Sequence, residues 1–575
     1  MATALDIDRV KAPLVIGVTG HRDLREEDRE QLKNSVRKVF TELRKQYPST
    51  PFVLLSPLAE GADRLVAEVA LGESDTRLIA PLPMPKDMYE ADFEDPNSLA
   101  EFNRLLGRAD QSFEISLAAD EAAVSHPGPE RNLQYEAIGK YIAGESQILI
   151  ALWDGVKANK VGGTAAIVKF QTEGLPDQDE CKLLPPELFP VYHIPTPRVS
   201  NPIPAENLPP FQLRVIYPPA FGSGELAKKY YERTFGNLEE FNRLAATGGA
   251  TLEREILKSK TWLIGDFDER AFSRSEGWTL NRFAVADALA IQFQKSMLLM
   301  HRALHWLVFL SFSSFVLYAH LHGNPPPALV LALAFLGLGY ILHWRAKRTA
   351  LDEKRQDYRA MAEGCRVRFF WLLAGVTDSV PDNYLGKQRT ELDWIRCGLR
   401  GWELGLFHHP PTSWNNRRER LQFVLKHWVA DQRIYFTGTS KKSERSSELM
   451  EWRVRACLRV AIIIGFGLAV AAIAMPAGEE SHWRVAAIIA IDLLLASAAL
   501  LHHANERMAH SEHLKQYRRM LVIFDNAAKS IQSLVDSGNL AAATTCLQAL
   551  GNEALIENGD WVLLHRERPL EIPHP

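Results

Sequence analysis

Between Ala303 and Trp344 the chain carries no Asp, Glu, Lys or Arg, and this apolar run breaks once, at His322-Gly-Asn-Pro-Pro-Pro, which no helix carries through. The pattern predicts a helical hairpin with arms at about 304–321 and 327–344. Each arm has 18 residues, near the short end of what spans a bilayer core. A second pair is expected at about 458–476 and 485–503, broken at Pro476-Ala-Gly-Glu-Glu-Ser. A buried hairpin of a large soluble core is the alternative, but two such hairpins with charged flanks are hard to bury otherwise. Lys295, Arg302, Arg345, Lys347 and Arg348 flank the first hairpin, and Arg453, Arg455, Arg459 and Arg507 flank the second. The turns carry only Arg484 against Glu479 and Glu480. The positive-inside rule then puts both termini and the stretch 345–457 in the cytoplasm of a multi-pass protein of the cell (inner) membrane.

The front of the chain has a different rhythm. Short apolar runs at Leu14 to Thr19, Phe52 to Leu55, Arg77 to Leu82, Phe113 to Leu117, Ile148 to Trp153 and Val191 to Ile194 read as strands. Helical stretches at 26–46, 61–71, 98–107 and 130–145 alternate with most of them. This predicts an α/β Rossmann-like domain followed by an all-α membrane region with four transmembrane helices in two duplicated hairpins. The expected segments are a nucleotide-binding domain over 1–220, a helical connector over 221–300, the first hairpin with its helix extension over 301–365, a cytoplasmic helical region over 366–455, the second hairpin and extension over 456–535, and a tail over 536–575.

Composition changes little in that picture. At 575 residues the chain is too long for one core, and a net charge of −4 argues against a globally basic nucleic-acid binder, so no nucleic-acid partner is expected. The five cysteines, Cys181 among them, form no CxxC pair and no His/Cys metal spacing, so neither metal nor disulfide is expected. MATALDIDRVK lacks the form of a secretory signal, which keeps the front of the chain in the cytosol.

An offset of 159 residues aligns the two hairpins: Leu342, His343, Arg348, Ala350, Glu353, Tyr358, Arg359 and Met361 match Leu501, His502, Arg507, Ala509, Glu512, Tyr517, Arg518 and Met520. The repeating unit is two membrane helices with a cytoplasmic extension of the second. Its helical faces imply two roles, a core stripe with a basic face near the anionic leaflet, or Glu, Tyr and Arg links between copies or to the soluble domain. Asp492, inside the fourth apolar segment, costs a few kcal/mol to insert. It is a candidate pore-lining or subunit-packing group, with a dry hydrogen-bonded helix contact as the alternative.

The candidate chemistry of the front domain lies where strands end. The first strand runs into Thr19-Gly20-His21-Arg22-Asp23, the second into Ser56-Pro-Leu-Ala-Glu60-Gly61-Ala-Asp63-Arg, and a later one into Trp153-Asp154-Gly followed by Gly162-Gly163-Thr164. Small residues between a strand and a helix let backbone N–H groups approach a phosphate. A tight-turn glycine explains any one of them as well, and the three together favour nucleotide binding. His21 and Arg22 could contact phosphate; Glu60, Asp63 and Asp154 could accept ribose hydroxyls or simply be solvated carboxylates.

These motifs together resemble the SLOG superfamily, a Rossmann-like group that includes lonely-guy and DNA-processing relatives, over about the first 200 residues. The paired hairpins with their Tyr-Arg-x-Met extensions resemble, more loosely, SLATT-type two-helix membrane modules of bacterial conflict systems, over about 280–540. The resemblance implies a cytosolic sensor of a nucleotide, cyclic-nucleotide or ADP-ribose-type ligand, with no resident cofactor, coupled to a pore-forming or membrane-disrupting effector in antiphage defence. A homo-oligomer is expected, since four helices are few to enclose a pore. Lonely-guy phosphoribohydrolases are similar in carrying GGxGTxxE, but Ile167 stands where the catalytic Glu is expected. Without that carboxylate no general acid or base is evident. Sensing is favoured, and a membrane-tethered nucleoside or NAD hydrolase is the alternative.

Overall fold

The computed structural model describes residues 7–157, 162–174, 186–205, 208–321, 325–386, 391–406, 416–474, 482–507 and 510–566. Cys181 and the turns at 322–324 and 475–481 lie outside the described residues. The chain divides into two compact units, neither of them continuous in sequence. The first comprises 1–253, 269–282 and 377–414; the second comprises 254–268, 283–376 and 415–575.

The first unit is built on a seven-stranded sheet of β1 (Leu14–Gly20), β2 (Phe52–Leu55), β3 (Thr76–Leu82), β4 (Gln111–Glu114), β5 (Ile148–Trp153), β6 (Val191–Pro195) and β7 (Arg214–Ile216). The strand order is β4-β3-β2-β1-β5-β6-β7, all parallel except β7, which pairs antiparallel to β6. The centre strands FVLL and ILIALW are buried at every position, as a sheet covered on both faces requires.

The covering helices are α1 (Arg29–Gln46), α2 (Ala62–Ala70), α3 (Pro96–Leu106), α4 (Pro129–Glu145) and α5 (Thr164–Glu173). In α1, Leu32, Val36, Val39, Phe40 and Leu43 recur at helical spacing and are buried. Asp95 caps α3 by accepting the Asn97 N–H at 2.9 Å, with Pro96 in the first turn. The carboxy-proximal helix Asp393–Glu403 completes this unit: the Gln147 amide donates to the Cys397 carbonyl at 2.7 Å, and the Trp402 indole donates to the Lys11 carbonyl at 3.0 Å. The strand order reverses next to β1, so the tips of β1 and β5 lie side by side at the switch point where doubly wound sheets bind ligands.

The second unit is helical. Four helices are long and apolar enough to cross a membrane: Arg274–His320, Pro326–Arg348, Asp431–Ala474 and His482–Arg507. The first begins in the amino-terminal unit and continues into this one. Only 6–11% of their most apolar windows is buried within the chain, so these helices present open apolar sides that suit a bilayer. This removes the alternative of hairpins buried in a soluble core.

The helix extensions are separate helices. Leu351–Ala374 starts after Ala350, whose φ of 48° breaks the rod, and His510–Asp536 is its counterpart. Residues 540–566 form a further helix. The repeat is visible in side chains: Arg359 donates to Asp287 at 2.9 Å and Arg518 to Glu444 at 2.9 Å, each joining an extension to the long helix that leads into the membrane segment of its copy. Tyr358 packs edge-on to Phe293 at 5.5 Å, and Tyr517 lies 6.0 Å from Phe436.

Between the copies stands Trp428, fully buried in a π-helical turn, Leu425–Ala430. It stacks on Phe370 of the first extension at 5.3 Å and meets Phe524 of the second edge-on at 6.3 Å. Trp428→Ala is expected to cost about 3–5 kcal/mol, read as a lowered melting temperature of the detergent-solubilised protein. The exposed Trp452 provides the comparison, and a Trp428→Ala loss no larger than that of Trp452→Ala would contradict this role.

Candidate functional site

The switch point is occupied by a polar cluster that ties three strands together. His21 follows β1, Asp154 follows β5, and a loop after β6 returns across both tips: Thr196 N–H donates to the Trp153 carbonyl at 3.0 Å, Val199 N–H to Asp23 at 2.9 Å and Ala205 N–H to Asp154 at 2.8 Å. From this loop Arg198 reaches His21 Nδ1 at 3.2 Å and the Asp23 carboxylate at 3.0 Å. A guanidinium only donates, so Nδ1 accepts, while Nε2 lies 3.1 Å from the donating Asp154 N–H and 3.2 Å from Asp154 Oδ1. Burial, opposed by Asp154 and reinforced by Arg198, lowers the His21 pKa and keeps the ring neutral. For Asp154 burial works upward, yet Asn201 at 3.0 Å, the Val156 N–H and His21 outweigh it and hold the carboxyl below its ordinary value. Both predicted polar groups are therefore spoken for by the fold in this state.

Gly20 is set by close packing: a Cβ there would lie 2.3 Å from Ala62 Cβ and 2.7 Å from the Leu152 carbonyl. Gly61 is set by backbone geometry as well. Its φ is 79°, and a Cβ would meet the carbonyls of Arg22 and His21 at 2.4 and 2.5 Å. The start of α2 is thereby pressed onto the His21–Arg22 backbone, with Ala62 N–H donating to His21 at 3.1 Å. Ser56 is fully buried and shapes the turn, accepting the Leu58 N–H at 3.2 Å. Glu60 accepts from the Ser98 hydroxyl, and Arg64 donates to the same hydroxyl at 2.8 Å.

Arg22 is the exposed cation of this edge, its guanidinium 4.9 Å from the centre of the Tyr135 ring. Tyr135 lies on α4, donates its hydroxyl to Asp92, and has Glu136 as its neighbour, against which Gly162 packs at a φ of 69°. Gly163 caps α5 without a side-chain hydrogen bond, and Thr164 opens that helix. The three predicted loops thus lie along one sheet edge, with Arg22 of the first over Tyr135 of α4. Ile167 packs against Gly139 of α4 and the sheet core, so its position serves the interior.

No family model matches the chain, and no curated protein matches it. The site therefore rests on its own geometry.

Residues that sequence reading missed complete it. Asp92 binds both Tyr135 and Arg131, the latter at 2.8 Å; Arg198 and Asn201 hold His21 and Asp154. None has a local motif, and their proximity arises only from the fold. Asp492 lies in the other unit, where its Oδ2 is 3.0 Å from His320 Nε2, linking the first and fourth apolar helices within one chain.

Asp63 is the carboxyl with chemical potential. It is buried beneath Arg22, and burial, opposed by Arg22, the Ala59 N–H and Arg64, pushes its pKa up to about 7. The unfolded chain releases this proton near pH 4 while the fold holds it to about 7, so stability is lost as pH rises through that window. Asp63→Asn removes the loss. The variant should gain melting temperature over the parent at pH 8 and little at pH 4, and an equal difference at both would show a carboxylate ionised throughout.

Proposed function

We propose that this protein senses a nucleotide or NAD-derived ligand at the carboxyl edge of its sheet and acts on the membrane through its helical unit, as a pore-forming or membrane-disrupting effector in antiphage defence. The observation that carries the reading is the convergence of three strand-to-helix loops beside Arg22 at the switch point of a parallel sheet, in a chain that also carries four helices able to span a bilayer. One of these loops delivers helix α5, which starts on glycine without a side-chain cap, leaving first-turn N–H groups for an anion. Arg22 supplies the phosphate cation, and Tyr135 beneath it offers a face for a base. The ligand is a cyclic nucleotide or ADP-ribose derivative, no resident cofactor is needed, and the effector works as a homo-oligomer in the inner membrane with both termini cytoplasmic.

A tethered nucleoside or NAD hydrolase is the second reading, and Asp63 is the observation in its favour: a buried carboxyl titrating near neutrality is suited to general acid–base work. Turnover separates the two.

Proteoliposomes loaded with dye and titrated with cyclic nucleotides and ADP-ribose derivatives test the proposal. One ligand should trigger leakage, and Arg22→Ala should raise the concentration it requires by ten-fold or more, about the loss of one charge-assisted contact. Silence across the panel with consumption of a nucleotide would replace the sensor by the enzyme.

A further inference from the structure

A cavity of about 840 Å³ opens within the helical unit, at the level where the first apolar helix gives way to charged sequence. Its volume is that of clefts that enclose whole small ligands, ~300–1,000 Å³. Arg302, Trp306 and Phe309 line it at helical spacing i, i+4 and i+7, one stripe of the helix Arg274–His320. Arg302 is the last charge before the uncharged run, and seven residues separate it from Phe309, about 10 Å along the axis. Leu501 of the fourth apolar helix adds to the apolar end. Lys442, from the helix Asp431–Ala474, and Arg355 also line the cavity.

These charges are unequal in their freedom. Asp352 is the one acid lining the cavity among the described residues, and Arg355 is paired with it at 2.9 Å and stacked 5.3 Å from the Trp561 ring. Arg302 and Lys442 are exposed, and no ion pair among the described residues involves either. A cleft lined by two cations outside any ion pair among the described residues, with an aromatic, aliphatic wall about two helical turns along from Arg302, complements an amphiphile with an anionic head. The apolar end is continuous with helix sides that face the bilayer, so that amphiphile is delivered along the membrane plane.

From this we infer that the cavity is a binding site for an anionic phospholipid of the cytoplasmic leaflet, its phosphate held by Arg302 and Lys442 and its acyl chains laid along Trp306, Phe309 and Leu501. The site would make the helical unit responsive to lipid composition, independently of any nucleotide. Two cations near the surface favour an acidic over a zwitterionic headgroup by about ten-fold or more.

The test reconstitutes the full chain in phosphatidylcholine nanodiscs containing a minority of either phosphatidylglycerol or phosphatidylcholine with brominated acyl chains, and reads the quenching that Trp306→Phe removes. Brominated phosphatidylglycerol should quench at about one-tenth the concentration needed for brominated phosphatidylcholine. The preference should vanish in Arg302→Gln/Lys442→Gln and survive in Arg302→Lys/Lys442→Arg. Equal quenching by the two lipids, or a preference unchanged in the Gln variant, would overturn the assignment. Displacement of the lipid by inorganic phosphate would also overturn it, marking a site for a free anion. Because no nucleotide enters this experiment, its failure leaves the sensor reading untouched, and the reverse holds too.

Discussion

A parallel sheet whose strand order reverses at its first strand leaves two adjacent tips, β1 and β5, that no helix connection crosses, and the amino-terminal unit is organised around that gap. The loop after β6 folds back over it, Arg198 and Asn201 fix His21 and Asp154 inside it, and Gly20 and Gly61 let α2 press against its rim. A side chain at either glycine would collide with backbone, so the approach of helix to strand tips is a steric requirement of the fold. What remains open beside the gap is the Arg22–Tyr135 pair and the start of α5. That contrast, a rigid polar lock next to a free cation on an aromatic face, gives the ligand-sensing proposal its physical content.

The helical unit depends on a different constraint. Its apolar helices carry long sides that the chain does not cover, and its order comes from the helices outside those spans, where Trp428 joins the two repeat copies through Phe370 and Phe524. The repeated arginine performs one task twice, Arg359 to Asp287 and Arg518 to Glu444. A duplicated ion pair at the foot of each hairpin fixes where membrane helix meets extension. The His320–Asp492 pair adds a polar contact between the first and fourth apolar helices, giving the carboxylate of the fourth a partner inside its own chain.

Much of this was legible in the sequence, for identifiable reasons. Strands buried on both faces are unbroken apolar runs, so β2 and β5 fall on Phe52–Leu55 and Ile148–Trp153 as read, and the charge gap at 303–344 marks its hairpin without ambiguity. β7 was missed because Arg214–Ile216 is three residues long, only partly buried and set in a proline-rich stretch. The strand read at Phe113 to Leu117 lies at Gln111–Glu114, because its pairing with β3 begins at polar Gln111 and Ser112. Of the site, the glycines and strand-end polar groups carried local signals. Asp92, Tyr135, Arg198 and Asn201 did not, since each acts through a neighbour between 43 and 177 residues away. His320 escaped for the same reason: periodicity reveals which helices are apolar but not which of them touch.

The claim on which the account stands is that a nucleotide-type ligand engages the carboxyl edge of the sheet. Amide hydrogen exchange of the full chain in detergent, followed by mass spectrometry with and without each member of a cyclic-nucleotide and ADP-ribose panel, measures this directly. The account predicts that one ligand slows exchange in the peptides covering 20–23, 56–64 and 162–166 together. Protection confined to other peptides, or none with any ligand, would contradict it.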